Sequence, residues 1–162
     1  MKPSIRSAMP QDLERILEII ASYRWKWDRP IAQAYFNDYF TPNLLPKDAV
    51  YVLEIDQNNE KVIVGTIGYS IDKYESEQYW LGWFYVHQEH QNHNYGKKLL
   101  NHIVGQMRRM NVKKLFVNTS SYRTYIPALI FYLKNGFKME SVIKNYYGGD
   151  EDQLILSKII RR

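Results

Sequence analysis

A polar segment that contains three of the four histidines of the chain could bind either a metal ion or an anion. It reads VHQEHQNHNYGKKLL, residues 86 to 100, and it places His87, His90 and His93 three residues apart. The histidine pair that binds zinc in metalloproteases has a spacing of four along a helix, whereas this segment has the composition of a loop. The spacing does not favour a metal site, and we predict none.

The same segment has the features of a loop that binds a phosphate. It follows a stretch typical of a strand and leads into a stretch typical of a helix, whose first backbone N–H groups lack partners inside the helix. Those groups and the helix dipole attract an anion. Gly96 adopts a left-handed backbone freely, and Asn94 is among the few other residues that do so readily. Lys97 and Lys98 add positive charge, so the segment predicts a phosphate site.

The composition limits the classes of protein to which the chain can belong. Its 162 residues are enough for one domain with a core, so we predict a single domain over residues 1–162. There is no cysteine, which excludes disulfides, thiolate nucleophiles and cysteine-based zinc sites. The N-terminal residues have neither a signal-peptide pattern nor a membrane span, so we expect a cytoplasmic protein without a membrane partner.

The net charge of +5 allows an anionic partner, either a cofactor that carries phosphate or a nucleic acid. The basic residues are scattered along the chain apart from a few adjacent pairs. Because a nucleic-acid-binding protein usually collects its basic residues in one patch, we favour the phosphate-bearing cofactor.

Apolar periodicity and turn residues predict the secondary structure that must position this segment. The predicted strands are Ser4–Met9, Ala49–Asp56, Lys61–Asp72, Tyr79–His87, Lys114–Ser120, Lys138–Tyr147 and Asp152–Ile160. The predicted helices are Pro10–Tyr23, Ile31–Phe40, Tyr95–Met110 and a helix that starts near Pro127 and stops at Asn135.

This order of elements indicates an α/β domain. Short turns join the second, third and fourth strands, which favours an antiparallel meander. The fourth strand is apolar on both faces and should be central. The helix after it should make a right-handed crossover to a parallel fifth strand. We therefore expect a mixed, mostly antiparallel and twisted sheet of about seven strands with about four helices on its faces.

Three segments together resemble the Gcn5-related N-acetyltransferase (GNAT) superfamily. The cofactor signature of that family is Gln or Arg, two residues, Gly, one residue, then Gly or Ala. Here it reads QNHNYG, with Gln91 and Gly96 matching and Asn94 in place of the first glycine. PALIFYLKNGF, residues 127 to 137, is similar to a second family segment, and NYYGGDEDQLILSKII resembles the closing hairpin. The resemblance covers the whole chain and implies an acyl-CoA N-acyltransferase-like fold.

The resemblance also implies roles for individual residues. Acetyl-CoA would be the co-substrate, with no metal. Backbone groups at the end of the fourth strand, Phe84, Tyr85 and Val86, would bind the pantetheine arm. The signature loop would hold the diphosphate through Gln91, Asn92, His93, Asn94, Tyr95, Gly96 and Lys97. Tyr132 would be the acid that protonates the departing thiolate, although a tyrosine on a helix face is also ordinary core packing.

The implied reaction is direct attack of an amine on the thioester, and the general base is missing from the sequence pattern. Many members carry a glutamate within the fourth strand, whereas YWLGWFYV has no carboxylate. A backbone N–H near Val86 would bind the oxyanion. The candidate bases are Glu77 before the strand, Glu54, Asp56, Asp28, or a water held by Asn118. None of them is specific.

The resemblance places the acceptor between the loop YRWKWDRP and the last hairpin. The hairpin carries Tyr146, Tyr147, Asp150, Glu151 and Asp152, and aromatic walls with carboxylates suit a small cationic amine. Trp25 and Trp27 could equally well pack beneath the hairpin. A polyamine, an aminoglycoside, an amino acid, and a protein N-terminus or lysine all remain open. A homodimer, which is common among similar enzymes, is also open. The alternative function is a catalytically silent CoA-binding domain with a regulatory or interaction role.

Overall fold

A computed structural model describes residues 2–23, 28–42, 48–72 and 78–161. The strands are β1 Ser4–Ser7, β2 Ala49–Gln57, β3 Glu60–Ile71, β4 Tyr79–Val86, β5 Lys114–Ser120, β6 Lys138–Gly148 and β7 Glu151–Ile159. The helices are α1 Leu13–Ala21, α2 Asp28–Tyr39, α3 Tyr95–Arg109 and α4 Ile126–Lys134. Elements of the predicted type follow one another in the predicted order.

The strands form one seven-stranded sheet in the order β1-β2-β3-β4-β5-β7-β6. β4 and β5 are parallel, with Tyr79 opposite Leu115 and Leu81 opposite Val117. β1 with β2, β2 with β3, β5 with β7, and β6 with β7 are antiparallel. The predicted mixed sheet and the parallel pair across α3 are therefore confirmed. β4 is central in the strand order, as predicted, but most of its side chains are only half-buried.

The chain divides into two compact units. The first comprises Met1–Ser70 and Gly82–Ile103, and the second comprises Ile71–Leu81 and Val104–Arg162. The expectation that residues 1–162 act as a single domain stays a prediction. No helix in the described ranges is long and apolar enough to cross a membrane.

The first unit has a core built from α1, α2 and β2. The apolar face predicted for α1 is buried, and Phe36 of α2 and Val52 of β2 pack against it. α1 follows a short 3-10 turn, Pro10–Asp12, in which the Asp12 carboxylate accepts a hydrogen bond from the Met9 N–H at 2.7 Å. It ends where the Ser22 hydroxyl donates to the Ile19 carbonyl at 2.7 Å. These polar contacts satisfy backbone groups that a helix end leaves without partners.

A buried ion network ties β1 to the start of α1 and to β2. The Arg6 guanidinium donates to Asp12 at 2.7 and 3.0 Å, and its Nε donates to Glu54 at 2.7 Å. Glu54 lies 3.5 Å from Lys61 as well. Asp12 and Glu54 are almost fully buried, so the network compensates two carboxylates that would be costly to bury alone.

The second unit has a core to which β5, β7 and α4 contribute buried residues. Leu115 and Val117 of β5, Leu154 and Leu156 of β7, and Tyr132 of α4 are buried there. The predicted end of α4 is observed, because Asn135 follows the last helical residue and Gly136 has a left-handed backbone with φ of 84°. Glycine carries no steric penalty in that conformation, which explains why the helix stops there.

Candidate active site

The loop between β4 and α3 makes two left-handed turns, and asparagine occupies both. Asn92 has φ of 63° and Asn94 has φ of 60°. We expected the left-handed backbone at Asn94 or Gly96, but Gly96 lies inside the first turn of α3. The short polar side chain of asparagine tolerates this region better than other non-glycine side chains do. Asn94 thus adopts a backbone conformation that glycine adopts freely.

The start of α3 presents hydrogen-bond donors and positive charge. The Lys98 N–H donates to the Asn94 carbonyl at 3.0 Å, which is the first bond of the helix. The amides of Tyr95, Gly96 and Lys97 precede that bond and have no partner one turn earlier within α3. Lys97 and Lys98 are exposed. Free amides, the helix dipole and two cations together fit the diphosphate of a nucleotide cofactor.

Two of the three histidines of this segment make side-chain hydrogen bonds within the loop, and the third is partly desolvated. Nδ1 of His87 accepts a hydrogen bond from the Glu89 N–H at 3.3 Å. Nδ1 of His93 lies 2.7 Å from the Gln91 carbonyl, to which it can only donate. Burial, followed by the charges of His87 and Arg15, lowers the pKa of His90 below its ordinary value. Across the described parts of the chain, no three His, Asp or Glu side chains are grouped as metal ligands.

Phe84, Tyr85 and Val86 are the last residues of β4 and are half-buried. Trp83 precedes them with a left-handed backbone, φ of 47°. A tryptophan rarely adopts this conformation. Its ring packs 5.0 Å from Tyr35 and 5.4 Å from Phe36, centroid to centroid. No local pattern indicated this conformation, because positive φ occurs mainly at glycine, asparagine and aspartate.

Gly65 of β3 lies directly against the end of β4. A Cβ atom at this position would lie 2.9 Å from Leu99 Cδ1 and 3.1 Å from the Tyr85 carbonyl oxygen. Glycine at position 65 therefore permits close packing. Its absence of a side chain lets β4 and α3 approach β3.

Tyr23, just after α1, holds the same region and was missed by sequence reasoning. Its hydroxyl donates to the Val86 carbonyl at 2.6 Å and accepts from the Gln91 side-chain amide at 2.8 Å. Its ring meets that of Tyr85 edge-on, with centroids 5.7 Å apart. Tyr23 and Val86 are 63 positions apart, so no local pattern could have indicated the contact.

Tyr132 belongs to the second unit and is 7% exposed. Its ring packs against Phe137 with centroids 5.4 Å apart. Burial raises the pKa of the Tyr132 phenol well above its ordinary value. The side chain is therefore a neutral phenol at all physiological pH values, as a proton donor must be. The position fits both interpretations of this tyrosine, and its catalytic role stays a prediction.

The model of the acetyltransferase (GNAT) family matches residues 13–137, which is most of the chain and includes both the loop and Tyr132. The chain belongs to the GNAT family. It is accordingly an acyltransferase, and acetyl-CoA is its co-substrate. No curated protein matches this chain in sequence.

Solved structures share the GNAT fold over nearly the whole chain. One described as a GNAT-family acetyltransferase from Desulfovibrio desulfuricans has a TM-score of 0.87 and 23% identity, covering 99% of this chain and 100% of that one. The ribosomal-protein-S18-alanine N-acetyltransferase of Escherichia coli has a TM-score of 0.76 and 18% identity, covering 99% and 96%. The yncA structure from Salmonella typhimurium, solved with its cofactor acetyl-CoA, has a TM-score of 0.78 and 18% identity, covering 100% and 96%.

The candidate general bases of this GNAT enzyme differ in their surroundings. Glu54 is tied to Arg6 and Lys61, so it is a structural carboxylate rather than a base that is ready to take a proton. Asp56 and Asn118 are exposed on their strands. The side chains of Asp28 and Glu77 lie outside the described residues, as do Trp25 and Trp27 of the proposed acceptor loop.

Two carboxylates of the β6–β7 hairpin, those of Asp152 and Glu151, have different hydrogen-bond partners. Asp152 is bound by Lys144 at 2.7 Å and by the Asn145 N–H at 2.9 Å, and these hydrogen bonds lower its pKa. Glu151 accepts a hydrogen bond from the Ser120 hydroxyl and has no cationic partner among the described residues.

Ser120 is itself held in place, because its oxygen accepts the Tyr122 N–H at 2.9 Å. The Glu151 carboxylate is therefore oriented by a fixed partner while its charge is left without compensation in the described part of the chain. Asp150 lies at the hairpin turn with a left-handed backbone, φ of 64°. Tyr146 and Tyr147 are both exposed, with their rings edge to face 4.9 Å apart.

Proposed function

We propose that this GNAT acetyltransferase transfers the acetyl group of acetyl-CoA to the primary amine of a small cationic acceptor, by direct attack in a ternary complex. The observation that carries the proposal is the loop before α3. Asn92 and Asn94 shape it with left-handed backbones, and the first amides of α3, which have no partner within the helix, are next to the exposed Lys97 and Lys98. This combination suits a diphosphate.

The residues of the loop would share the binding of the cofactor as the family resemblance implies. The amides from Asn92 through Lys97 would hold the diphosphate, and the backbone at Phe84, Tyr85 and Val86 would bind the pantetheine arm. The left-handed backbone at Asn94 supports this assignment. Asn94 was one of two features that favoured a catalytically silent domain, and the other is the absence of a carboxylate from β4.

The chemical step would proceed without a covalent enzyme intermediate. The neutral amine nitrogen attacks the thioester carbonyl carbon, forming the C–N bond and a tetrahedral oxyanion that a backbone N–H near Val86 stabilises. The C–S bond then breaks, and the departing thiolate takes a proton from the Tyr132 hydroxyl. The proton lost by the amine leaves to solvent, and the Tyr132 phenolate regains a proton from solvent before the next turnover. Because burial raises the pKa of Tyr132, the phenol is protonated when the thiolate departs.

The hairpin supports a cationic acceptor. Glu151 is oriented by Ser120 and lacks a cation among the described residues, whereas Asp152 is already neutralised by Lys144. An ammonium group near Glu151 would gain a charge-assisted hydrogen bond. The exposed rings of Tyr146 and Tyr147 would add cation–π attraction.

The proposal is tested by calorimetric titration with acetyl-CoA, with CoA and ATP as controls, and then by acetylation of a panel of amines. We expect micromolar binding of acetyl-CoA and preference for polyamines and aminoglycosides over neutral or anionic amines. Glu151→Gln should raise KM for the cationic amine about tenfold. Asp150→Asn, which removes a carboxylate at the turn of the same hairpin, should not. An equal effect of both variants would contradict the assignment of Glu151.

The cytoplasmic location and the homodimer expected from the sequence stay predictions. Fractionation of cells and light scattering of the purified protein would measure them. Nucleic acid is not a partner in this proposal, because every feature of the loop suits a single small phosphate ligand.

A further inference from the structure

One hydroxyl joins the end of β4 to the cofactor loop. The Tyr23 hydroxyl lies 2.6 Å from the Val86 carbonyl oxygen and 2.8 Å from the Gln91 side-chain nitrogen. A phenol has a single proton to donate, and the Val86 carbonyl can only accept it. The Gln91 amide must therefore donate to the phenol oxygen, so both hydrogen bonds have a fixed direction.

These bonds set the orientation of Gln91. Its backbone follows the short turn that His87 begins, where the His90 N–H donates to the His87 carbonyl at 2.8 Å. Its side chain is exposed for much of its surface, yet its amide is bound to Tyr23. Gln91, the glutamine of the cofactor signature, thus turns toward Tyr23, and its side-chain amide is hydrogen-bonded to the phenol.

We propose that Tyr23 is a positioning residue for acetyl-CoA: it fixes the end of β4 and the cofactor loop relative to each other through Val86 and Gln91. The inference rests on the proposed function, because it concerns the positioning of a loop that binds acetyl-CoA in that proposal. In this proposal the Gln91 side chain fixes the shape of the loop, and the backbone amides bind the diphosphate.

The surroundings of Tyr23 are consistent with a fixed, neutral hydroxyl. Its ring packs edge-on against Tyr85 at 5.7 Å, which limits its rotation. Burial raises the pKa of Tyr23, against the lowering effect of its hydrogen bonds to Gln91 and Val86. The phenol therefore remains protonated at neutral pH, and its hydrogen bond to Val86 is not lost there by titration.

Tyr23→Phe tests the proposal by removing the hydroxyl while keeping the ring that packs on Tyr85. Loss of one to two hydrogen bonds should weaken calorimetric binding of acetyl-CoA about tenfold. Hydrogen exchange of the amides at residues 88–91 should become faster in the free protein. Tyr39→Phe is the matched control, since its hydroxyl accepts a hydrogen bond from the Val50 N–H on β2, at 3.0 Å. It should leave the acetyl-CoA affinity unchanged.

Gln91→Ala, alone and combined with Tyr23→Phe, separates positioning from general stability. If the two residues act through one contact, the double variant should bind acetyl-CoA about as weakly as the weaker single variant. Strict additivity, or unchanged affinity and exchange in Tyr23→Phe, would overturn the inference. A wild-type protein that does not bind acetyl-CoA would instead overturn the proposed function, so the two failures are distinguishable.

Discussion

At the scale of single residues, the site depends on residues other than glycine that adopt a left-handed backbone conformation. Asn94 replaces a glycine of the signature and has φ of 60°, so asparagine here meets a requirement that glycine usually meets. The same tolerance explains Asn92. The identity of the residue at position 94 therefore controls the shape of the loop rather than a contact of its side chain.

Substitutions at position 94 should separate backbone shape from side-chain chemistry. Asn94→Gly keeps access to positive φ, and we expect acetyl-CoA affinity within about threefold of the wild type. Asn94→Val puts a β-branched residue in a left-handed conformation, which costs about 1–2 kcal/mol and should weaken calorimetric binding about tenfold or more.

Asn111→Val is the matched control for this pair. Asn111 also has a left-handed backbone, φ of 57°, but it follows the C-terminal end of α3. It should lower the melting temperature while leaving acetyl-CoA affinity unchanged. If Asn94→Val bound acetyl-CoA as tightly as the wild type, the loop would not be the diphosphate site.

Tyr132→Phe tests the proposed acid. Removal of the hydroxyl should lower kcat about 100-fold, because general acids typically contribute that much or more. Because burial raises the pKa of Tyr132, its ionisation should add no basic limb to the kcat profile of the wild type below about pH 10.

Phe137→Leu controls for packing around Tyr132. It trims the ring that contacts the phenol and leaves the hydroxyl in place. The variant should be less stable by about 1–3 kcal/mol, measured by urea unfolding, but should lose less than tenfold in kcat. A Tyr132→Phe enzyme with wild-type kcat would show that this tyrosine is only a core residue.

At the scale of elements, buried charges hold the edge of the first unit together. Arg6 of β1 bonds Asp12 before α1 and Glu54 of β2. Burial would raise the pKa of Asp12, but the hydrogen bonds from Arg6 and from the Met9 N–H outweigh it, and the pKa lies below its ordinary value of 3.8. The charged carboxylate is thus the form that stabilises the fold.

The sign of this shift gives a pH dependence for stability. A carboxylate with a lowered pKa in the folded state contributes stability above its unfolded pKa and loses it as pH falls through the folded pKa. Asp12→Asn should therefore cost about 1–3 kcal/mol at pH 7, measured by urea unfolding. The difference from the wild type should shrink below about pH 4.

Glu18→Gln provides the comparison for Asp12→Asn. Glu18 pairs with Arg15 at 2.8 Å on the exposed side of α1, and such surface pairs contribute little. The free energy of unfolding of Glu18→Gln should match that of the wild type both at pH 7 and below about pH 4. An Asp12→Asn protein with a constant deficit from pH 7 to pH 3 would contradict the assignment of this carboxylate.

The elements were predictable from local patterns, and the contacts between distant elements were not. Apolar spacing in α1 and α3, and the Asn135–Gly136 stop of α4, are local signals, and the structure contains those helices. By contrast, α2 begins at Asp28, three residues earlier than expected, and β1 ends at Ser7, two residues early. Element ends depend on tertiary contacts, which a single stretch of sequence does not encode.

The site was predictable only in part, for the same reason. The loop before α3 could be found because its polar residues, glycine and lysines are contiguous. The bond from Tyr23 to Val86 and that from Ser120 to Glu151 join residues 63 and 31 positions apart. The left-handed backbone of Trp83, with φ of 47°, runs against residue preference, and its ring packs on Tyr35 of α2.

At the scale of the whole molecule, charge and ligand binding act on the protein together. The net charge of +5 should attract the anionic cofactor, so affinity for acetyl-CoA should fall as salt increases. A ligand that binds only the folded state stabilises it by mass action, by about 2.7 kcal/mol at 100 times its Kd. We expect acetyl-CoA to raise Tm by several degrees at low salt and by less at high salt.

Thermal unfolding with and without acetyl-CoA measures this effect. ATP at the same concentration is the control for general anion binding, and it should raise Tm less. A salt-independent shift, or an equal shift with ATP, would contradict specific binding at the loop before α3.

Amine-dependent release of the CoA thiol from acetyl-CoA tests the central claim most directly. The wild-type protein is mixed with acetyl-CoA and a polyamine, and free thiol is followed against the same mixture without the amine. We predict that thiol appears only when both substrates are present, with one acetylated amine formed for each thiol. Tight binding of acetyl-CoA with no thiol released by any primary amine would contradict acetyl transfer and leave only a CoA-binding protein.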